Sequence, residues 1–142
     1  MSISQIIAGR EQAIITCVAQ DLVRDATRVL AEKRIGALPV VEGNKVVGIF
    51  SERDVLYCIA RDGAEALDGK VGDVMTAPAI TIDLASDALE ALSLMTRRRI
   101  RHLPVVDESG LIGFVSIGDL VKYRIDQVEF EAQQMREYIT AA

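Results

Sequence analysis

The sequence predicts a mixed α/β (α+β) fold made of two β-α-β-β-α repeats packed sheet-to-sheet with pseudo-twofold symmetry. Three observations predict it. The chain matches itself at an offset of 65 residues, each copy alternates short apolar runs with an amphipathic segment, and half of the 142 residues are hydrophobic. A small sheet cannot bury both of its faces alone, so the two copies should pack sheet against sheet in a single domain.

The repeat lays residues 15–56 on residues 80–121 without a gap. Ile15-Thr16 falls on Ile80-Thr81, Ala26 on Ala91, and Arg34-Ile35 on Arg99-Ile100. Leu38-Pro39-Val40-Val41 falls on Leu103-Pro104-Val105-Val106, and Gly48, Ser51 and Asp54 fall on Gly113, Ser116 and Asp119. Most other positions exchange one aliphatic residue for another, as duplication leaves them.

Each copy opens on a short apolar strand around Ile15 or Ile80. A helix follows, because Val23, Ala26, Val29 and Leu30, and in the second copy Ala88, Ala91, Leu92 and Met95, recur at three-and-four spacing. Leu38–Val41 and Val46–Phe50, separated by the turn residues Glu42-Gly-Asn-Lys45, read as a β-hairpin. A second helix begins after Ser51 or Ser116, whose hydroxyl can accept hydrogen bonds from the unpaired amides of the first turn. The chain divides into repeat one (residues 8–62), a glycine-bearing linker (63–72), repeat two (73–125) and a long C-terminal helix (119–140), all within one module. That last helix carries Tyr123, Ile125, Val128, Ala132, Met135 and Ile139 far beyond its counterpart in repeat one, which predicts packing on a second subunit and a homodimer.

Composition narrows the function. A net charge of −5 disfavours nucleic acid and anionic membranes as partners. The segment from Met1 to Arg10 lacks the pattern of a secretory signal, and no apolar stretch reaches the length of a membrane span, so a cytoplasmic location is expected. Cys17, Cys58 and a single histidine make no metal-ligand pattern, and the cysteines read as reduced core residues. No nucleophile has a base at a recognisable spacing, so no enzyme is predicted and no metal is required.

The residues repeated in register carry the functional signal. Gly48-Ile-Phe-Ser51-Glu-Arg-Asp54 and Gly113-Phe-Val-Ser116-Ile-Gly-Asp119 put a serine and an aspartate at a strand-to-helix junction. Such a pair can form a capping box. The same corner also offers helix amides and a hydroxyl to a phosphate, and a carboxylate to a ribose diol. Arg53 adds a cation to the first corner where the second has Gly118, which makes the first the better anion site. Before the Leu-Pro pair, repeat one has Gly36-Ala37 and repeat two has Arg101-His102, a planar phosphate fork and a group that titrates near neutrality. Arg97-Arg98-Arg99 suits the negative end of a helix dipole.

With two copies of Leu-Pro-Val-Val and two of Gly-x-x-Ser-x-x-Asp, the chain resembles paired cystathionine-β-synthase (CBS) domains, the Bateman module. Asp73-Val-Met-Thr-Ala-Pro78 looks like the lead-in to a second CBS motif, and Ile117-Gly-Asp-Leu-Val-Lys122 with the long helix is similar to bacterial stand-alone members. The resemblance implies an adenine-nucleotide sensor whose ligand is AMP, ADP, ATP or NAD(H). Each site would draw on both repeats: Ser51, Arg53 and Asp54 with Thr81, Arg101, His102 and Pro104, and Ser116 and Asp119 with Thr16, Gly36, Ala37 and Pro39. In such sites aspartate holds the ribose, aliphatic side chains flank the adenine, and arginine and histidine meet phosphate. Repeat one departs from the pattern by carrying Ile6-Ile-Ala-Gly-Arg10 as its lead-in, and Gly36-Ala37 imply weaker phosphate binding in the second site. The module would act through an unidentified regulated protein. The alternative is a structural or dimerisation module whose Ser-x-x-Asp corners serve only as caps.

Overall fold

The computed structural model describes residues 2–8 and 13–141. The chain runs α1 (Ile3–Ile7), α2 (Val23–Lys33), β1 (Ala37–Glu42), β2 (Lys45–Ser51), α3 (Glu52–Asp62), a 3₁₀ helix (Gly63–Asp68), α4 (Val71–Val74), α5 (Ala88–Arg98), β3 (His102–Asp107), β4 (Gly110–Ser116) and α6 (Ile117–Ala141). The predicted helix, hairpin and second helix are therefore present in both copies. No described helix is long and apolar enough to cross a membrane.

Both hairpins are antiparallel and share one register. Ala37 pairs with Ser51 and His102 with Ser116, and each hairpin has an irregularity after its central valine, at Val40/Val41 and Val105/Val106. The predicted opening strands are shorter and later than their apolar runs suggest. A single residue in each copy, Cys17 or Ile82, makes a parallel bridge to Val40 or Val105. Cys17 donates to the Pro39 carbonyl at 3.1 Å, and its own carbonyl accepts from Val41; Ile82 does the same with Pro104 and Val106. The chain turns immediately afterwards, at Val18–Asp21 and Asp83–Ser86. Only one residue of each predicted opening strand therefore joins its hairpin, and each sheet is two-stranded.

Two apolar clusters form the interior, one per repeat. Leu38, Val40 and Phe50 centre the first, and Leu103, Val105 and Val115 the second, all fully buried. Val23, Ala26 and Leu30 of α2, and Ala88, Ala91 and Met95 of α5, cover their own sheets as the periodicity predicts. Burial of one such aliphatic side chain stabilises by about 1.5–3 kcal/mol.

The leading helices cross over. Ile3 of α1 is fully buried in the second cluster, and Val71 of α4 is fully buried in the first. Their hydrogen bonds match by symmetry: Ile3 and Ser4 donate to Ser86 and Leu84, while Val71 and Gly72 donate to Asp21 and Ala19. The equivalence of Ile3 with Val71 makes Ile6-Ile7 the counterpart of Val74-Met75. Repeat one thus has a lead-in of the same kind, displaced by three residues; Gly9 and Arg10, the rest of its variant motif, lie outside the described residues. The stretch read as a linker is ordered, with Ala66 and Val71 packed into the first cluster.

Candidate functional site

Both strand-to-helix corners fold as capping boxes. At the first, Asp54 Oδ2 accepts from the Ser51 amide at 2.9 Å and from Ser51 Oγ at 3.0 Å, and Ser51 Oγ accepts from the Asp54 amide. At the second, Asp119 Oδ2 accepts from the Ser116 amide at 2.7 Å, and the Asp119 amide donates to Ser116 Oγ at 3.1 Å. Each satisfies helix amides that would otherwise lack partners. The backbone ties each corner to its own hairpin: Glu52 donates to the Gly36 carbonyl and Ile117 to that of Arg101.

A cleft of about 450 Å³ opens at the second corner, between Ser116 and Asp119 on one side and residues 13–15 and 34–37 of repeat one on the other. That volume falls within the range of small-molecule sites, about 300–1,000 Å³. Ile15, Ile35 and Ile112 give it apolar walls, and Arg34 stands at its edge. Arg34 terminates α2 in the left-handed region at φ 53°, as Arg99 does for α5 at φ 55°.

The lead-in of repeat two fills the first corner. Asp54 Oδ1 accepts from Thr76 Oγ1 at 3.0 Å, and Thr76 and Ile49 exchange backbone hydrogen bonds at 2.8 and 2.9 Å. Met75 lies so close to β2 that a Cβ on Gly48 would fall 2.7 Å from its sulfur; the equivalent Gly113 faces Ile7. Arg53, expected to serve an anion, donates through Nη1 to the Arg99 carbonyl at 2.9 Å. Its cation bridges the two repeats, while the corner ranked second by sequence borders the cleft lined by Ser116 and Asp119.

The other sequence candidates separate in the same way. Gly36 and Ala37 line the open cleft with Ser116 and Asp119, as the resemblance implies. His102, assigned by the resemblance to the Ser51 site, lines this cleft instead. Its ring stacks on Phe114 with centroids 5.4 Å apart and 17° between the planes. A Cβ on Gly36 would approach the His102 ring to 3.1 Å, so glycine there leaves room for it. Burial lowers the His102 pKa; Asp119 and Glu52 oppose that effect and Arg101 adds to it. Burial thus favours the neutral form of the ring over the cation.

Arg101 is exposed and outside this cleft, as is Thr16. Thr81 lines a separate hollow between the two hairpin turns, where the Asn44 side-chain amide donates to the Ser109 carbonyl. Pro39 and Pro104 are buried, with carbonyls that hold Cys17 and Ile82. Sequence reasoning missed Arg34 and Phe114. Arg34 was visible as one of the repeated residues, but its place at a cleft edge depends on how the repeats face each other. Cys17, with its thiol pushed up to about 12 mainly by burial, and Cys58, which donates to the Val55 carbonyl, are core residues.

The family profile of the CBS domain matches residues 10–61 and 71–126. The chain belongs to the CBS-domain family. This CBS pair is 40% identical over 128 residues to the mitochondrial CBS domain-containing protein CBSX3 of Arabidopsis thaliana, covering 87% of the pair and 62% of that relative. It therefore spans less than two thirds of the relative's length. A solved protein with CBS domains from Burkholderia ambifaria is 38% identical with a TM-score of 0.82, over 89% of the pair and 95% of that chain. The CBS pair of protein MJ0100, solved in complex with 5′-methylthioadenosine and S-adenosyl-L-methionine, has a TM-score of 0.78 over 89% and 98%. At 22% identity that likeness is one of fold.

Proposed function

We propose that this CBS pair is a non-catalytic regulatory module of the cytoplasm that binds an adenine nucleotide in the cleft between its repeats. The observation that carries the reading is the open cleft itself. It joins a capped helix start bearing Ser116 and Asp119, apolar walls for a base, and the Arg34 cation at its edge. Asp119 takes the ribose hydroxyls, Ile15 and Ile35 flank the adenine, and Arg34 meets the phosphates. AMP, ADP, ATP and NAD(H) all carry these parts. A shared fold with a CBS pair that binds adenosine-type ligands supports the class of ligand. The Ser51–Asp54 corner would bind a second nucleotide only after Arg53 and Thr76 yield their hydrogen bonds. The pair works as a homodimer and passes its signal to a protein partner.

The test is calorimetric titration of nucleotide-stripped protein with AMP, ATP and NADH in turn. Micromolar binding of any of them supports a sensor, and the preference among them reports whether it reads energy charge or redox state. No binding by any would favour the purely structural module.

A further inference from the structure

Helix α6 carries a second, unpartnered apolar stripe. Val121, Ile125, Val128, Ala132, Met135 and Ile139 follow one another at alternating steps of four and three residues, the seam spacing of a coiled coil. At about 100° per residue the six fall within roughly 80° of arc. Leu120 and Tyr123, which pack into the second core, lie on a different face of the helix. Five of the six are exposed large apolar residues, from Val121 at 42% to Ile139 at 65%.

We propose that a second copy of this chain covers the stripe, through a parallel, in-register two-stranded coiled coil of α6. Ile125, Ala132 and Ile139 occupy the a positions and Val121, Val128 and Met135 the d positions; β-branched residues at a suit a parallel dimer. Charge decides the direction. The g positions hold Arg124 and Glu131, and the e positions five residues later hold Glu129 and Arg136. A parallel pair sets Arg124 against the partner's Glu129 and Glu131 against the partner's Arg136, attractive in both cases. An antiparallel pair with the same six layers in contact sets Glu129 on Glu129, Glu131 on Glu131 and Lys122 on Arg136. Among the described residues none of Arg124, Glu129, Glu131 and Arg136 forms an ion pair within its own chain. The six layers span about 27 Å at 1.5 Å per residue.

The inference rests on the homodimer proposed above and adds its interface and orientation. Sedimentation equilibrium of the full chain should give a dimer, and Val128→Asp should raise the dissociation constant by about 100-fold or more, because it buries an unpaired charge in each strand. Val128 is solvent-exposed in the single chain, so circular dichroism should report an intact fold. Ile139→Cys should form an intermolecular disulfide under mild oxidation, since parallel strands bring the two positions face to face; Cys17 and Cys58 are buried. Arg124→Glu alone should weaken the dimer a few-fold and Arg124→Glu with Glu129→Arg should restore it. A dimer that survives Val128→Asp, or that fails to cross-link through Ile139→Cys, overturns the coiled coil and leaves the homodimer standing. A monomer at micromolar concentration overturns both.

Discussion

Arg53 Nη1 donates to the main-chain carbonyl of Arg99 at 2.9 Å, fastening the start of α3 to the end of α5 in the other repeat. The symmetry-related pair is Gly118 and Arg34, and Gly118 has no side chain to send across. Gly118→Arg should therefore close the open cleft with a copy of the Arg53 bridge. A Cβ at Gly118 meets nothing nearer than Ser116 Oγ at 3.6 Å, and replacing a helical glycine adds up to about 1 kcal/mol of stability. Calorimetry should find nucleotide affinity reduced at least about tenfold, beside an unchanged or raised melting temperature. Undiminished affinity would show that the ligand sits elsewhere.

The two aspartates should respond differently to truncation. Asp119→Ala removes the cleft's carboxylate and half of a capping box, so nucleotide affinity should fall at least about tenfold and stability by about 0.5–2 kcal/mol. Asp54→Ala loses its hydrogen bonds to Ser51 and Thr76. It should lower the denaturation midpoint comparably and leave affinity at the open cleft nearly intact. A single titration series on both variants, paired with urea melts, separates these outcomes.

Arg34 offers a test of how the ligand lies. Its backbone is left-handed, a conformation glycine adopts without cost, so Arg34→Gly removes the guanidinium without straining the end of α2. The variant should bind AMP and ATP about tenfold more weakly and adenosine unchanged, as expected for loss of one charge-assisted phosphate contact. Equal weakening for adenosine and AMP would mean that Arg34 acts on the cleft's shape instead.

His102 should give the fold a pH dependence of definite sign. Its pKa lies below the ordinary 6.5 because burial disfavours the charged ring. As the pH falls below 6.5 the unfolded chain takes up the proton first, so stability is lost from there downward until the folded form protonates as well. Above 6.5 the contribution is complete. Since this is the only histidine in the chain, His102→Asn should flatten the stability profile between pH 7 and the carboxylate range in chemical denaturation. An identical slope in the variant would assign the titration to other groups.

The repeat made most of the fold legible. Val23, Ala26 and Leu30 gave α2, the Leu-Pro-Val-Val runs gave β1 and β3, and the Ser-x-x-Asp spacing gave the helix caps, because each of these is a local property of the chain. The opening strands were misread because an apolar run at Ile15 or Ile80 does not reveal that the turn after Cys17 or Ile82 ends the pairing. The ranking of the two corners depended on contacts between distant segments. Whether Arg53 faces solvent or the Arg99 carbonyl, and whether Thr76 reaches Asp54, follows only from how the repeats face each other. His102 went to the other cleft for the same reason: its ring follows Phe114 and the space above Gly36, neither of which is near it in sequence.

The crossing of α1 and α4 makes the molecule indivisible at its own midpoint. A chain cut between Asp62 and Val71 would yield two halves, each holding the helix that completes the other's interior and lacking its own. Neither half could close alone, yet mixing them restores every buried contact across a non-covalent pair. The duplicated ancestor implied by the repeat faces the same geometry. A lone unit of that kind would find its missing helix only on a twin.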